Sequence, residues 1–134
     1  MPYKVFISHA GTDTWIAKQI EAYVSQTGAE TFIDTVGIEV GDQFEAKLET
    51  ELKNANELIV LFTPWSLERP YVWMEIGAAW ILNIRMIVVL HGISVTEMSS
   101  NPKIPVKIKA NDVIDINDIE DYFKQLQKRV NLSN

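Results

Sequence analysis

Glu57-Leu-Ile-Val-Leu-Phe-Thr-Pro64 is the stretch that decides the fold. Leu58 to Phe62 are all apolar, with no polar residue at alternate positions, so neither face of this strand is meant for water. That is the pattern of a strand covered on both sides in a parallel sheet, and Pro64 ends it. Working outward, Arg85-Met-Ile-Val-Val-Leu-His91 repeats the pattern. Lys4-Val-Phe-Ile-Ser8 is a shorter version that stops at the polar loop His9–Asp13. Ala29-Glu-Thr-Phe-Ile-Asp34 is weaker because Glu30 interrupts it, and Asp112-Val-Ile-Asp-Ile116 reads as a short last strand.

Helical spacing fills the intervals. Ile16, Ile20, Tyr23 and Val24 trace one face of a helix starting at Thr12 or Asp13, with Gly28 as its left-handed stop. Asp42 and Glu45 have capping-box spacing, and Phe44, Leu48, Leu52 and Ala55 follow on one face. Pro70 opens a third helix that Asn83 stops, and a last helix capped by Asn117 or Asp118 buries Ile119, Tyr122, Phe123, Leu126 and Val130. Residues 92–105, with two prolines, read as a long irregular segment, and the tail 132–134 as frayed. The economical architecture is α/β: a flavodoxin-like three-layer αβα sandwich around a central five-stranded parallel sheet, in a single domain spanning 1–134. Right-handed crossovers bring the loops after each strand to one edge, where ligands bind in such folds. That edge gathers Ser8, His9, Asp34 with the 35–41 loop, Thr63 to Arg69, and the first turn of the third helix.

The third helix, Arg69-Pro-Tyr-Val-Trp-Met-Glu-Ile-Gly-Ala-Ala-Trp-Ile-Leu82, is apolar nearly all round and is expected to be buried on most sides. Its one carboxylate, Glu75, must then be paired, neutralised or open to a cleft, which makes it the leading functional candidate. The alternative is a carboxylate that points to solvent or caps an amide. Tyr71, four residues earlier, shares its face.

Composition narrows the function. The 134 residues carry a net charge of −6, with four Lys and ten acidic residues in 1–67 against eight basic and eight acidic in 68–134. This lacks the basic face expected of a nucleic-acid binder. No apolar run reaches the roughly 20 residues of a membrane span, and no signal-peptide pattern opens the chain. Without cysteine there is no thiol catalysis, thiolate metal site or disulfide framework, consistent with a cytoplasmic location. His9 and His91 lack a second ligand at metal-binding spacing. A phosphate-receiving regulator of this architecture would need acids where Phe6-Ile-Ser8 and Phe62-Thr-Pro64 stand.

Four strings, in order, resemble bacterial TIR domains across nearly the whole chain. Tyr3-Lys-Val-Phe-Ile-Ser-His-Ala-Gly-Thr-Asp13 is similar to the family's first box, and Phe32-Ile-Asp34, the Gly37/Gly41 loop and Phe44 to its BB loop and second helix. Leu58–Pro64 with Ser66-Leu67, and Tyr71-Val-Trp-Met-Glu-Ile-Gly-Ala-Ala79, resemble the third strand and the catalytic-glutamate helix. The resemblance implies an enzyme that cleaves the nicotinamide–ribose bond of NAD+, its substrate, without a further cofactor. Glu75 would be catalytic, while Phe6, Ser8, His9, Asp34, Tyr71 and Trp73 would contact the substrate. Many catalytic bacterial members have tryptophan where Tyr71 stands, so the ring that stacks on the ligand is Tyr71 or Trp73. Gly37, Ile38 and Val40 of the BB loop would meet another TIR protomer. The product is ADP-ribose or a cyclic isomer, expected to act as a diffusible signal on a downstream effector in Thoeris-like antiviral defence. A nucleoside deoxyribosyltransferase is a chemical relative of this reading. The rival from another class is a non-enzymatic TIR adaptor in which Glu75 is inert.

Overall fold

The structure, a computed structural model, describes residues 2–33, 42–102, 104 and 112–133, and for 42–47 the backbone alone. Five strands, β1 (Lys4–Ser8), β2 (Glu30–Ile33), β3 (Glu57–Phe62), β4 (Arg85–Leu90) and β5 (Asp112–Asp115), form one parallel sheet in the order β2-β1-β3-β4-β5. Five helices accompany them among the described residues: α1 (Thr14–Gln26), α2 (Asp42–Lys53), α3 (Pro70–Ile81), α4 (Val95–Ser100) and α5 (Ile119–Ser133). This is the expected three-layer sandwich.

Side-chain parity builds the layers. On β1, β3 and β4 successive residues point to opposite faces. Phe6, Leu58, Val60, Phe62 and Val88 pack on one side with Leu48 and Leu52 of α2 and Val72, Ile76 and Ala79 of α3. Val5, Ile7, Ile59, Leu61 and Val89 pack on the other with Ala17, Ile20 and Val24 of α1 and Tyr122, Leu126 and Val130 of α5. Every residue of β3 is buried, as its unbroken apolar run requires. The chain order reverses between β1 and β3, so the crevice of the sheet opens beyond Ser8 and Thr63. Gly28 (φ 95°) ends α1 and Asn83 (φ 56°) follows α3, both in the left-handed region that stops a helix.

Several expectations are corrected. Residues 92–105 are not wholly irregular: Ser94 and Glu97 form a reciprocal capping box that starts α4, and Met98 is buried beneath it. The last helix starts at Ile119, directly after Asp118, and is preceded by a 3-10 turn, Ile116–Asp118, which Asp115 caps through the Asn117 amide at 2.9 Å. It runs on through Leu132 to Ser133, whose hydroxyl donates to the Val130 carbonyl at 2.8 Å. The first helix begins at Thr14, after a 3-10 turn over Gly11–Asp13. The third helix is not buried on most sides, because Met74, Trp80, Ile81 and Leu82 are exposed. The Asp42–Glu45 cap and Phe44 fall on side chains outside the described residues.

At the amino end of the sheet lies a cluster that the sequence did not disclose. Glu57 is fully buried, and its carboxylate accepts hydrogen bonds from the Tyr3 hydroxyl, from Tyr122 Oη (3.0 Å), and from Arg129 Nε (2.6 Å) and Nη2 (3.0 Å). The two-pronged guanidinium contact supplies both charge and direction. It ties α5 and the chain start to the first residue of β3.

Candidate functional site

Parity continues to the end of β1 and decides what Ser8 meets. Phe6 faces α2 and α3, so Ser8, two residues on, faces them as well, while His9 turns toward α1. On α3, Val72, Glu75, Ile76 and Ala79 occupy the buried stripe. The two surfaces meet where Ser8 Oγ donates to Glu75 Oε1 at 2.6 Å, Ser8 being fully enclosed and Glu75 2% exposed. A hydroxyl donor at that length is the strong, charge-assisted kind a carboxylate receives.

Glu75 also lines a cavity of about 460 Å3 between α2 and α3. Leu48 and Leu52 face Met74, Ala78 and Ile81 across it, giving walls that are mainly apolar. Its other described charges are Glu49 and Lys53, whose side chains pair at 2.7 Å and cancel. The Lys53 ammonium holds the Glu49 carboxyl below its ordinary range. The site is therefore an apolar space with a carboxylate set into its wall, held on one oxygen from the sheet.

Of the expected site residues that the structure describes, Glu75 lines this cavity and Phe6, Ser8, His9, Tyr71 and Trp73 do not. Phe6 is fully buried beside Phe32, their rings 5.0 Å apart. His9 is 3% exposed; its Nε2 lies 3.3 Å from Thr14 Oγ1. Burial lowers the imidazole below its ordinary value, against the opposing pull of the Ile7 carbonyl and Asp13. Tyr71 is half-buried in the first turn of α3. Trp73 is tethered, its indole N–H donating to the Leu67 carbonyl at 2.9 Å and its ring 5.8 Å from Phe62. Asp34, Gly37, Ile38 and Val40 lie outside the described residues.

A polar link at the same edge escaped the sequence reading. Asp13, 4% exposed, accepts from Thr63 Oγ1 at 2.6 Å. Thr63 and Ser66 then close a tight turn, with the Thr63 amide on Ser66 Oγ (2.8 Å) and the Ser66 amide on Thr63 Oγ1 (3.2 Å). The Thr-x-x-Ser spacing was the available signal. This link fixes the approach to α3 and so the height of Tyr71 and Glu75. Among the described residues no cluster of three or more His, Asp or Glu is arranged to hold a metal ion. None of their helices is long and apolar enough to cross a membrane.

A family-wide sequence model of the TIR domain matches residues 5–129, nearly the whole chain. The chain belongs to the TIR domain family. Over 77 residues, 56% of its length, this TIR domain is 26% identical to a probable 2′ cyclic ADP-D-ribose synthase of Brachypodium distachyon, and it spans 34% of that protein. Its fold is similar to the TIR domain of the Toll-related receptor TRR-2 of Hydra magnipapillata (TM-score 0.69, 18% identity, 98% of this chain and 99% of that one). It is also similar to the CMP N-glycosidase BcmB of Clostridium botulinum (TM-score 0.61, 20% identity, 93% and 98%). At these identities the two structures establish the TIR fold alone.

Proposed function

We propose that this TIR domain is an NAD+ nucleosidase that breaks the nicotinamide–ribose bond, with Glu75 as its catalytic carboxylate. The observation that carries the reading is the position of Glu75, buried, held by Ser8 and set into the wall of an apolar cavity. Nicotinamide leaves as a neutral base, so the reaction needs no general acid. What develops is positive charge on the ribose, and a carboxylate in a water-poor space stabilises it electrostatically. The apolar walls from Leu48, Leu52 and Met74 suit a flat heterocycle beside the carboxylate. Tyr71 or Trp73 stacks on a ring, and Phe6, His9 and Asp34 complete the substrate surroundings.

Capture of the ribosyl centre by water gives ADP-ribose, and capture by a group of the same nucleotide gives a cyclic isomer. The likeness to a probable 2′ cyclic ADP-D-ribose synthase favours the cyclic product, which we propose acts as a signal, in the manner of Thoeris-type defence against phage, inside the cytoplasm. Self-association completes the picture, through the BB-loop residues Gly37, Ile38 and Val40 and the exposed Trp80 of α3, which lies outside the cavity wall. That same exposed face favours the second reading, a TIR adaptor that works by docking.

The test is incubation of the purified chain at high concentration with NAD+, and with CMP in parallel, followed by product separation with mass detection. NAD+ is expected to be consumed, and Glu75→Gln is expected to lower the rate at least about 100-fold while keeping the far-UV spectrum. Retained turnover in Glu75→Gln removes Glu75 from the chemistry, and an inert wild type at all concentrations leaves the adaptor.

A further inference from the structure

We propose that Ser8 is the positioning residue of the Glu75 carboxylate, fixing its orientation from beneath without touching whatever occupies the cavity. The inference rests on the reading of Glu75 as the catalytic group. Three observations carry it. Ser8 is fully buried and is absent from the wall of this cavity, which Glu75 lines. Its backbone is locked, because Ser8 is the last residue of β1 and is in register with Val60 of β3. Its 2.6 Å bond spans 67 residues of sequence and joins a rigid strand to the helix that carries the carboxylate.

The chemistry fits that role and little else. A carboxylate accepts and cannot donate when ionised, and a serine hydroxyl supplies one proton from a short side chain with a single heavy-atom torsion. Glutamate has three torsions, each a source of conformational freedom for its head. A bond to one oxygen removes that freedom and aims the group at the point where charge develops, which is the condition for electrostatic preorganisation. Around this pair the described titratable groups are Tyr71, one turn before Glu75 on α3, Glu49 and Lys53 on α2, paired with each other, and His9 after β1 and Asp13 in the following 3-10 turn, which face Thr14 and Thr63.

The experiment compares Ser8→Ala and the near-isosteric Ser8→Cys with the wild type in two measurements. The first is steady-state NAD+ turnover across pH. The second is the titration of the Glu75 side-chain carboxyl by 13C resonance, assigned by its loss in Glu75→Gln. For Ser8→Ala we expect kcat to fall about 10- to 30-fold with KM within about twofold, and the acid limb of the rate profile and the 13C midpoint to rise together by about one pH unit, because a bond to the charged form is gone. Ser8→Cys, a weaker donor, falls between. An unchanged kcat and midpoint, or a loss confined to KM, overturns the proposal, the latter by making Ser8 a substrate contact. If wild type turns over no NAD+, the nucleosidase reading fails by itself. The 13C midpoint of Ser8→Ala then still decides whether Ser8 governs the carboxylate.

Discussion

Replacing Arg129 with methionine should cost the domain about 3 kcal/mol, nearly all of it through Glu57. Methionine keeps the apolar stem but deletes two hydrogen bonds, at 2.6 and 3.0 Å, to a carboxylate with no solvent exposure. Removing one member of a buried ion pair typically costs about 3–5 kcal/mol because the partner stays charged and enclosed. The lower end applies here. Tyr3 and Tyr122 still donate to Glu57, and the Arg129 side chain is 22% exposed, so water can enter the vacated place. With an unfolding entropy of roughly 2.1 cal/mol/K per residue over this chain, about 3 kcal/mol lowers Tm by about 10 °C. Urea unfolding followed by circular dichroism measures the loss as a shift in midpoint at constant slope. The double variant Arg129→Met with Glu57→Gln should recover at least about 1.5 kcal/mol, since a neutral amide accepts from one phenol through its oxygen and donates to the other through its NH2, with no stranded charge. A loss below about 1 kcal/mol in the single variant, or strictly additive losses in the double, would refute the claim that this pair is the lock between α5 and β3.

Two pH dependences follow from other buried groups. Burial, reinforced by the neighbouring Glu57, pushes the Tyr3 hydroxyl up from 10 to about 12 and raises Tyr122 in the same direction, so their share of stability is complete below pH 10 and is lost as pH climbs toward 12. Tyr3→Phe should flatten that alkaline decline by about 1 kcal/mol, a figure reduced for the contact of Tyr3 with solvent, and a decline parallel to wild type in a pH-resolved urea series would contradict it. At the acid end, burial holds His9 below 6.5, so the folded state resists its protonation: stability is complete above pH 6.5 and falls as pH drops below it. His9→Gln should show a flatter profile between pH 6.5 and 5 than wild type, and identical slopes would exclude His9 as the titrating group.

The parts of this architecture that were legible in sequence are those specified by local pattern. The unalternating run Leu58–Phe62 announced a central parallel strand because both of its faces are covered, and Gly28 and Asn83 announced helix ends because few residues tolerate a positive φ. Ser94 and Glu97 carried a readable capping box that Pro102 and Pro105 obscured. Sequence put Ser8 and Glu75 at one edge but could not show their contact, which depends on the parity of β1 and the rotation of α3 over the sheet. The Glu57 cluster was illegible for a stronger reason. A carboxylate opening a strand looks solvated, and its donors Tyr3, Tyr122 and Arg129 stand 54, 65 and 72 residues away. The outer face of α3 departs from its sequence pattern because apolar composition does not by itself bury a side chain: Met74, Trp80 and Ile81 are exposed.

Two buried glutamates at opposite ends of the same sheet show how environment assigns roles to one functional group. Glu57 sits at the amino end of β3 with a guanidinium and two phenols around it, so its charge is neutralised and its geometry fully used. It has nothing left to offer a ligand. Glu75 accepts from Ser8 on one oxygen and borders a space large enough for a ring. Ser8, in register with Val60, stands three residues beyond Glu57 along the sheet, roughly 10 Å at the usual rise per residue. A defect at the Glu57 lock should therefore change how much folded protein there is, and a defect at Ser8 how fast each folded molecule reacts. The two carboxylates differ in their surroundings rather than in the group itself: a guanidinium and two phenols enclose Glu57, and a mainly apolar cavity between α2 and α3 borders Glu75.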